Sequence, residues 1–227
     1  MDYKIFPISE NALTIDFGNI ISVELNERVL ELADIIERNK FPGFIEIVPA
    51  YSSLTIFYDF LRIHKNNSTF LTAFEFVRDW LEQNIKRLST VKFSLHQLIK
   101  IPVDYSEDLA PDLDFVAQTA DLSKEEVINI HTSTVYRVFM VGFLPAFAYM
   151  GEVDMRIATP RKQIPRKKIE KGSVGIAGKQ TGIYPLESPG GWQIIGKTGL
   201  ELFRPNKNEI SLLKTGDQVQ FYDINAK

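Results

Sequence analysis

The sequence of 227 residues contains no cysteine and only three histidines. Without thiols the chain cannot form disulfides, thiolate zinc sites or iron–sulfur clusters, and it has no cysteine nucleophile. The histidines, His64, His96 and His131, are too far apart in sequence for two of them to share a helix face as metal ligands. We therefore expect no metal site, and any chemistry must use other side chains.

A strong charge of one sign and long apolar runs are also lacking. Lys and Arg total 26 against 29 Asp and Glu, which gives a formal net charge of −3. This balance supplies no basic field of the kind that attracts nucleic acid or anionic membranes. No stretch offers the roughly 18 apolar residues of a spanning helix, and the first residues contain no secretory apolar region. The sequence predicts a cytoplasmic protein with no nucleic-acid or membrane partner.

The composition is that of an ordinary globular protein, 44% hydrophobic and 24% charged, and the length suits two domains. We predict a small α+β domain over residues 1–90 and a second domain over residues 91–227. A capping box at Ser123–Glu126 predicts one helix in the second domain. After residue 134, short β-rich runs separated by Gly and Pro favour a β-barrel. The predicted strands of this part are Val135–Val141, Ser173–Ala177, Gln193–Ile195 and Gln218–Tyr222.

The first domain combines alternating and helical patterns of apolar residues. Asn26 is of a residue type that caps helices, and we expect it to start a helix that ends near Arg38, before Phe41-Pro42-Gly43. Apolar residues spaced three and four apart predict a second amphipathic helix. The predicted strands are 12–17, 45–49 and 53–58, and the second helix is 73–88.

Residues 191–198 have the sequence Gly-Trp-Gln-Ile-Ile-Gly-Lys-Thr and match the phosphate-loop pattern G-x-x-x-x-G-K-[ST] letter for letter. A true phosphate loop wraps a phosphate with its own amides and opens a helix. Trp192, Ile194 and Ile195 are instead bulky strand formers, and Gly199 follows at once. We interpret the segment as a β-strand that ends in a Gly-Lys-Thr-Gly turn.

Charged residues between positions 161 and 171 form a basic segment, with six cations against Glu170. Arginine binds phosphate and carboxylate best, because its guanidinium fork is planar and bidentate. The segment either grips an anion through Arg161 and Arg166 or forms a solvated loop.

Two other sets of polar residues have ordinary structural explanations. Asp104, Asp108, Asp112 and Asp114 include a candidate general base, but solvated-loop and helix-cap roles are favoured. His131 follows a predicted helix, and we expect it to act as a C-terminal cap favoured by the helix dipole.

Several Gly- and Pro-rich segments resemble one family over nearly the whole chain. They include residues 46–59 (EIVPAYSSLTIFYD), 142–149 (GFLPAFAY), 158–161, 165–166 and 172–198 (GSVGIAGKQTGIYPLESPGGWQIIGKT). These segments are similar to the B-subunit family of bacterial 5-oxoprolinase. The family also includes Kip-type inhibitors of a sporulation histidine kinase and the allophanate hydrolase subunit 1, or carboxyltransferase-like, domains of urea-carboxylating enzymes. The chain departs from the usual motif at Glu170-Lys171 and at Ala146, where relatives commonly have Gly, and Ala146 requires a backbone that tolerates a Cβ.

The resemblance implies an α+β fold, with a small N-terminal α+β domain followed by a cyclophilin-like, mostly antiparallel β-barrel domain. It also implies an ATP-hydrolysing hydrolase subunit that helps convert 5-oxo-L-proline to L-glutamate with the A and C subunits of 5-oxoprolinase, and that is inactive without them. ATP is the implied cofactor, bound in the assembled complex at a site on, or shared with, the C subunit. The alternatives are a non-catalytic inhibitor of a sensor histidine kinase and a carboxyltransferase-like module of urea metabolism.

For the oxoprolinase interpretation, we expect Arg161 and Arg166 to be the catalytic cations. Phosphorylation of a lactam oxygen develops negative charge, which cationic donors in a dry cleft would neutralise. In the kinase-inhibitor alternative, Phe143, Tyr149 and Trp192 would capture a proline-containing peptide. The expected substrate-binding residues are Phe143, Tyr149, Gln180, Thr181, Tyr184, Ser188 and Trp192.

Overall fold

The computed structural model describes residues 2–18, 20–66, 72–88 and 97–226. The chain divides into two compact units, Met1–Leu95 and His96–Lys227. The predicted domain boundary between residues 90 and 91 lies outside the described residues, as does His96.

The described part of the first unit forms one antiparallel sheet and three helices. Its elements are β1 (Lys4–Ser9), β2 (Ala12–Asp16), α1 (Val23–Arg38), β3 (Phe44–Pro49), β4 (Ser53–Tyr58), α2 (Phe60–Asn66) and α3 (Ala73–Ile85). The strand order is β1-β2-β4-β3, and every neighbouring pair is antiparallel. Leu13 and Ile56 of the sheet are fully buried in one core with Leu32 of α1 and Leu81 of α3. Both helices therefore bury their apolar stripes against the sheet, as the amphipathic pattern predicts.

Helix α1 begins earlier than the sequence predicts. Ser22 is its N-cap, and the Ser22 hydroxyl accepts a hydrogen bond from the Leu25 amide at 3.4 Å. Asn26 lies inside the helix, fully buried, and donates its side-chain amide to the carbonyls of Ala50 (3.3 Å) and Tyr51 (3.2 Å). The prediction of a cap at Asn26 is wrong, because this side chain ties the turn between β3 and β4 to the helix.

The second unit contains nine strands and two helices among the described residues. In chain order they are β5 (Leu98–Val103), α4 (Leu113–Ala120), α5 (Lys124–Ser133), β6 (Val135–Val141), β7 (Ala148–Gly151), β8 (Arg166–Ile169), β9 (Ser173–Ala177), β10 (Gln180–Ile183), β11 (Ser188–Gly190), β12 (Gln193–Lys197) and β13 (Gln218–Asp223). None of the helices in the described part of the chain has the length and apolar character needed to span a bilayer.

Seven of these strands form one sheet that nearly closes into a barrel. Its order is β12-β9-β10-β7-β6-β13-β5, and only the β13–β5 pair is parallel. The two edge strands meet where Asp104, directly after β5, and Lys197 of β12 exchange backbone hydrogen bonds of 2.8 and 2.9 Å. Apolar side chains such as Val138, Met150 and Ile176 are fully buried in its core. The predicted fold class, a small α+β domain followed by a mostly antiparallel barrel, is confirmed.

A smaller hydrophobic cluster is separate from the barrel core, and it contains Phe147, Ile169, Ala177, Tyr184, Trp192 and Ile194. The two-stranded antiparallel ribbon of β8 and β11 borders this cluster, because Ile169 belongs to β8. In the ribbon, Ser188 pairs with Ile169, and Gly190 pairs with Arg166. The candidate site lies beside this ribbon and includes residues of the cluster.

Candidate functional site

Five of the predicted site residues line one cavity beside the β8–β11 ribbon. Its volume is about 280 Å³. Pockets for small molecules usually measure roughly 300–1,000 Å³. The cavity is therefore suited to a small ligand or to one end of a larger one. Its lining residues are Phe143, Phe147, Tyr149, Arg161, Pro165, Tyr184, Pro189, Gly190, Gly191 and Trp192.

The aromatic rings of the cavity pack edge to face on one another. Phe147 contacts Tyr184 with ring centroids 5.2 Å apart and Trp192 with centroids 5.3 Å apart. Tyr149 packs against both Phe147 (4.8 Å) and Trp192 (5.8 Å). Phe143 meets the edge of Phe147 at 5.8 Å and is 65% exposed, so it lies at the mouth of the cavity. Because tilted and edge-to-face pairs favour fixed relative orientations, the rings form a preorganised wall.

The turn that carries Phe143 contains two non-glycine residues in the left-handed conformation. The φ angles are 68° at Phe143 and 66° at Ala146. Backbone hydrogen bonds from Gly142 to Phe147 and from Phe147 to Leu144, both 3.0 Å, hold the turn. For a residue with a Cβ, this left-handed conformation costs about 1–2 kcal/mol of conformational free energy. Ala146 therefore adopts a conformation that favours glycine, instead of the Cβ-tolerant backbone expected from the sequence.

Arg161 supplies the positive charge of the cavity. The guanidinium carbon of Arg161 lies 5.9 Å from the ring centroid of Trp192, which is within cation–π distance. In the part of the chain that the structure describes, no carboxylate forms an ion pair with Arg161. The charge of Arg161 is therefore available to an anionic ligand.

The two tyrosines of the cavity are neutral hydrogen-bond donors. Burial raises the pKa of Tyr184 to about 12, and the backbone hydrogen bond from Trp192 and the charge of Arg161 oppose this only in part. Burial also raises the pKa of Tyr149, again opposed by Arg161. Both phenols stay protonated at neutral pH. Among the described lining residues there is no carboxylate, histidine or lysine, so the cavity can bind oxygen atoms but holds no acid–base pair.

Arg166, the second predicted catalytic cation, lies outside this lining and is held by Asp112. Its two terminal nitrogens donate to the Asp112 carboxylate at 2.6 and 2.8 Å. The same carboxylate accepts from Lys162 Nζ and from the Ile194 backbone N–H, both at 2.7 Å. Burial alone would raise the pKa of Asp112, but the hydrogen bonds from Arg166, Lys162 and Ile194 outweigh it, and the pKa lies below its usual value. Asp112 is therefore an ionised, buried anion.

The other aspartates considered as candidate bases are dispersed. Asp104 accepts a backbone hydrogen bond at 2.9 Å, Asp108 is exposed, and Asp114 forms an exposed ion pair with Lys124 at 2.8 Å. The sequence singled out none of these four aspartates, and no local signal marked Asp112. The described residues contain no group of three or more His, Asp or Glu side chains placed to hold a metal ion.

Three predicted substrate-binding residues are absent from the described lining of the cavity. Gln180 begins β10, where it pairs with both neighbouring strands. Ser188 begins β11, and its hydroxyl donates to the Pro189 carbonyl at 3.2 Å. Thr181 is fully buried in contact with His131. The structure therefore groups the aromatic residues and Arg161 and separates them from these polar residues.

A buried chain of hydrogen bonds runs through His131. The Tyr105 hydroxyl lies 2.8 Å from Nδ1, and Nε2 lies 3.0 Å from Thr181 Oγ1. Thr181 donates its only hydroxyl proton to the Gly175 carbonyl, so it must accept from Nε2–H, and Nδ1 accepts from Tyr105. Burial lowers the pKa of His131 to about 3. The expected role as a charged helix cap is wrong, because the imidazole is neutral and lies in the core.

The segment that matches the phosphate-loop pattern is a strand. β12 covers Gln193–Lys197 and pairs antiparallel with β9. The side chain of Lys197 donates to Glu170 at 2.5 Å, and no described helix begins after it. The interpretation of the segment as a β-strand is confirmed, but the expected Gly-Lys-Thr-Gly turn is not formed, because Gly196 and Lys197 belong to the strand and residues 198–200 after it are irregular.

Comparison with known proteins identifies the class of this protein. A family profile described as "Carboxyltransferase domain, subdomain C and D" matches residues 3–213, so the chain is a carboxyltransferase-domain protein. It is 45% identical over 226 residues to the 5-oxoprolinase B subunit of Bacillus subtilis (strain 168), covering 99% of this chain and 94% of the relative. It is 35% identical over 218 residues to the 5-oxoprolinase B subunit of Escherichia coli O157:H7, covering 96% and 94%. The chain belongs to the 5-oxoprolinase B-subunit family, and the predicted resemblance is confirmed.

A solved structure supports the same architecture. The crystal structure of TTHA0988 matches with a TM-score of 0.79 at 34% identity and covers 95% of this chain. This chain spans 40% of the length of that protein. The match therefore extends over both units of this chain and over less than half of its structural relative.

Proposed function

We propose that this chain is the B subunit of an ATP-dependent 5-oxoprolinase, a hydrolase complex that opens the lactam 5-oxo-L-proline to L-glutamate. The observation that carries the proposal is 45% identity to a 5-oxoprolinase B subunit along 99% of the chain. We further propose that activity requires the A and C subunits, and that ATP binds in the assembled complex.

The chemistry explains why such a complex needs a cationic cavity. A lactam carbonyl is a poor electrophile, and transfer of the γ-phosphoryl group of ATP to its oxygen creates a leaving group. ADP departs in this transfer, one water then adds to the activated lactam carbon, and the C–N bond breaks to give an acyl phosphate of glutamate. A second water hydrolyses the acyl phosphate, which releases inorganic phosphate and leaves glutamate. The charge that develops on oxygen requires preorganised donors.

The cavity fits the binding part of this reaction. Arg161 offers an available positive charge, and the hydroxyls of Tyr149 and Tyr184 are neutral donors beside it. We propose that they hold the carboxylate or the activated oxygen of the substrate. Since no described lining residue is a base, activation of water falls to another subunit. Arg166 has a supporting role, because its guanidinium is committed to Asp112.

Reconstitution with the A and C subunits tests the proposal, with glutamate release from 5-oxoproline and ATP as the readout. We expect the isolated chain to be inactive and the complex to be active. Arg161→Ala should lower kcat by about 10²–10³, the cost of removing one charge-stabilising donor, and Arg161→Lys should restore part of it. Arg156→Ala is the matched control, since Arg156 is 64% exposed and pairs only with Asp154 in the described chain.

Two outcomes would contradict the proposal. Full turnover by the isolated chain would refute the need for partners. An unimpaired Arg161→Ala complex would make Arg161 a solvated loop residue without a part in substrate binding.

A second candidate function is inhibition of a sensor histidine kinase. The observation that favours it is Phe143, which is 65% exposed at the mouth of an aromatic cavity, because aromatic-lined grooves bind proline-containing peptides. Inhibition of kinase autophosphorylation by the isolated chain, together with an inactive reconstituted complex, would favour this function over the first.

A further inference from the structure

The loop that carries Arg161 has no regular secondary structure of its own. Residues 160–165 lead into β8, and Ile164 within this loop is 84% exposed. A long cationic side chain on such a loop samples many orientations unless the backbone around it is held. The position of Arg161 in the cavity therefore depends on contacts outside the loop.

Two contacts tie the loop to β12 and the residues before it. The side-chain amide of Gln193 donates to the carbonyl of Pro160 at 2.8 Å. The backbone N–H of Lys162 donates to the carbonyl of Gly191 at 2.7 Å. These bonds fix the residues directly before and after Arg161.

The loop is also held by two ion pairs, and both are formed with the carboxylate of Asp112. Its carboxylate binds Lys162, the neighbour of Arg161, at 2.7 Å and Arg166, the first residue of β8, at 2.6 and 2.8 Å. Asp112 is itself held against Ile194, which donates to its carboxylate at 2.7 Å and accepts from its amide at 2.9 Å. The Asp112 side chain is only 4% exposed, whereas those of Lys162 and Arg166 are 28% and 29% exposed. The buried Asp112 carboxylate therefore holds the loop at two positions that follow Arg161 in sequence, Lys162 and Arg166.

We propose that Asp112 is a positioning residue that holds Arg161 in the anion-binding cavity through Lys162 and Arg166. The inference rests on the proposed function of that cavity. Loss of the carboxylate would leave two partly buried cations without their counter-charge. Both side chains would then reorient toward solvent, and the backbone of the loop would shift with them. Because small misplacements of a binding group cost up to about 10²-fold in rate, we expect Asp112→Asn to lower kcat/KM by about 10–100-fold in the reconstituted complex.

A double-mutant cycle separates positioning from general stability. If Asp112 acts through Arg161, then Asp112→Asn should add almost nothing to the loss already caused by Arg161→Ala. Asp114→Asn is the matched control, because this carboxylate is 57% exposed and pairs with Lys124. Full additivity of the Asp112 and Arg161 losses would overturn the proposal. If Asp112→Asn fails to fold, Lys162→Met tests the same coupling from a more exposed partner.

A second readout does not depend on activity. In the isolated chain, the NMR order parameter of the Arg161 Nε–Hε group should fall in Asp112→Asn or Lys162→Met and stay unchanged in Asp114→Asn. An unchanged Arg161 signal in both network variants would overturn the proposal. A lower order parameter together with an inactive wild-type complex would refute the proposed function and leave the positioning role of Asp112 standing.

Discussion

Acidification should destabilise the second unit through one buried histidine. His131 is fully buried, and burial lowers its pKa to about 3 from the ordinary 6.5. The unfolded chain therefore binds a proton at this imidazole below about pH 6.5, while the folded chain does not until about pH 3. Because the unfolded state binds more protons in this window, stability rises with pH. The effect of His131 is nil above pH 6.5 and grows as the pH falls toward 3.

The magnitude follows from the shift in pKa. Each pH unit within the window costs about 1.4 kcal/mol, so lowering the pH from 7.5 to 5.0 should reduce the free energy of unfolding by about 2 kcal/mol through His131 alone. His131→Phe removes the titrating group but keeps a ring stacked on Phe221, where the centroids are 4.5 Å apart. The variant loses about 1–3 kcal/mol at neutral pH, since the Tyr105 hydroxyl loses its partner on Nδ1.

Urea unfolding followed by circular dichroism at several pH values between 7.5 and 5.0 measures this effect. The stability gap between wild type and His131→Phe should shrink by about 2 kcal/mol over that range. Tyr105→Phe is the control, because it removes one hydrogen bond to the imidazole but keeps the buried histidine and its pH dependence. Stability curves of wild type and His131→Phe that run parallel would refute the reasoning, since they would mean that the folded protein accommodates a charged His131.

Two further predictions concern the end of β12 and the turn at the cavity mouth. Lys197→Ala should leave ATP binding by the assembled complex within a few-fold of wild type, measured by calorimetry, because Lys197 ends a strand and pairs with Glu170. A collapse of ATP affinity with an intact fold would show that this segment is a working phosphate loop. Ala146→Gly should stabilise the protein by up to about 1 kcal/mol in thermal unfolding. Glycine adopts the left-handed conformation without the strain caused by a Cβ, although it loses more conformational entropy on folding than alanine does. A lower melting temperature would contradict the strain at Ala146.

Much of the secondary structure could be predicted because its signals are local. The strands at 53–58, 135–141 and 173–177 have the predicted bounds. Ser123 and Glu126 form the predicted capping box, with hydrogen bonds of 3.2 and 2.8 Å. Alternation of apolar residues and reciprocal capping depend on neighbours within a few positions, so the sequence alone is enough to reveal them.

Some strands, and one pairing between predicted strands, escaped prediction because partners distant in sequence create them. β1 is an exposed edge strand that contains Pro7, a residue that argues against a strand. β10 has four residues and includes Gly182, and its neighbours β7 and β9 supply the pairing. The parallel pairing of β13 with β5 joins segments more than a hundred residues apart. Such pairings depend on the closure of the sheet and leave little trace in local periodicity.

The sequence by itself determined the family, the order of the main elements and the aromatic and arginine residues from which the cavity is made. It could not separate Arg161 from Arg166, since both carry the same charge and each follows a proline. Only the tertiary structure decided that Arg166 binds a buried carboxylate 54 positions away, whereas Arg161 lies over Trp192. The physical reason is that ion pairing and pKa depend on distance and burial in space, which the spacing of residues along the chain does not set.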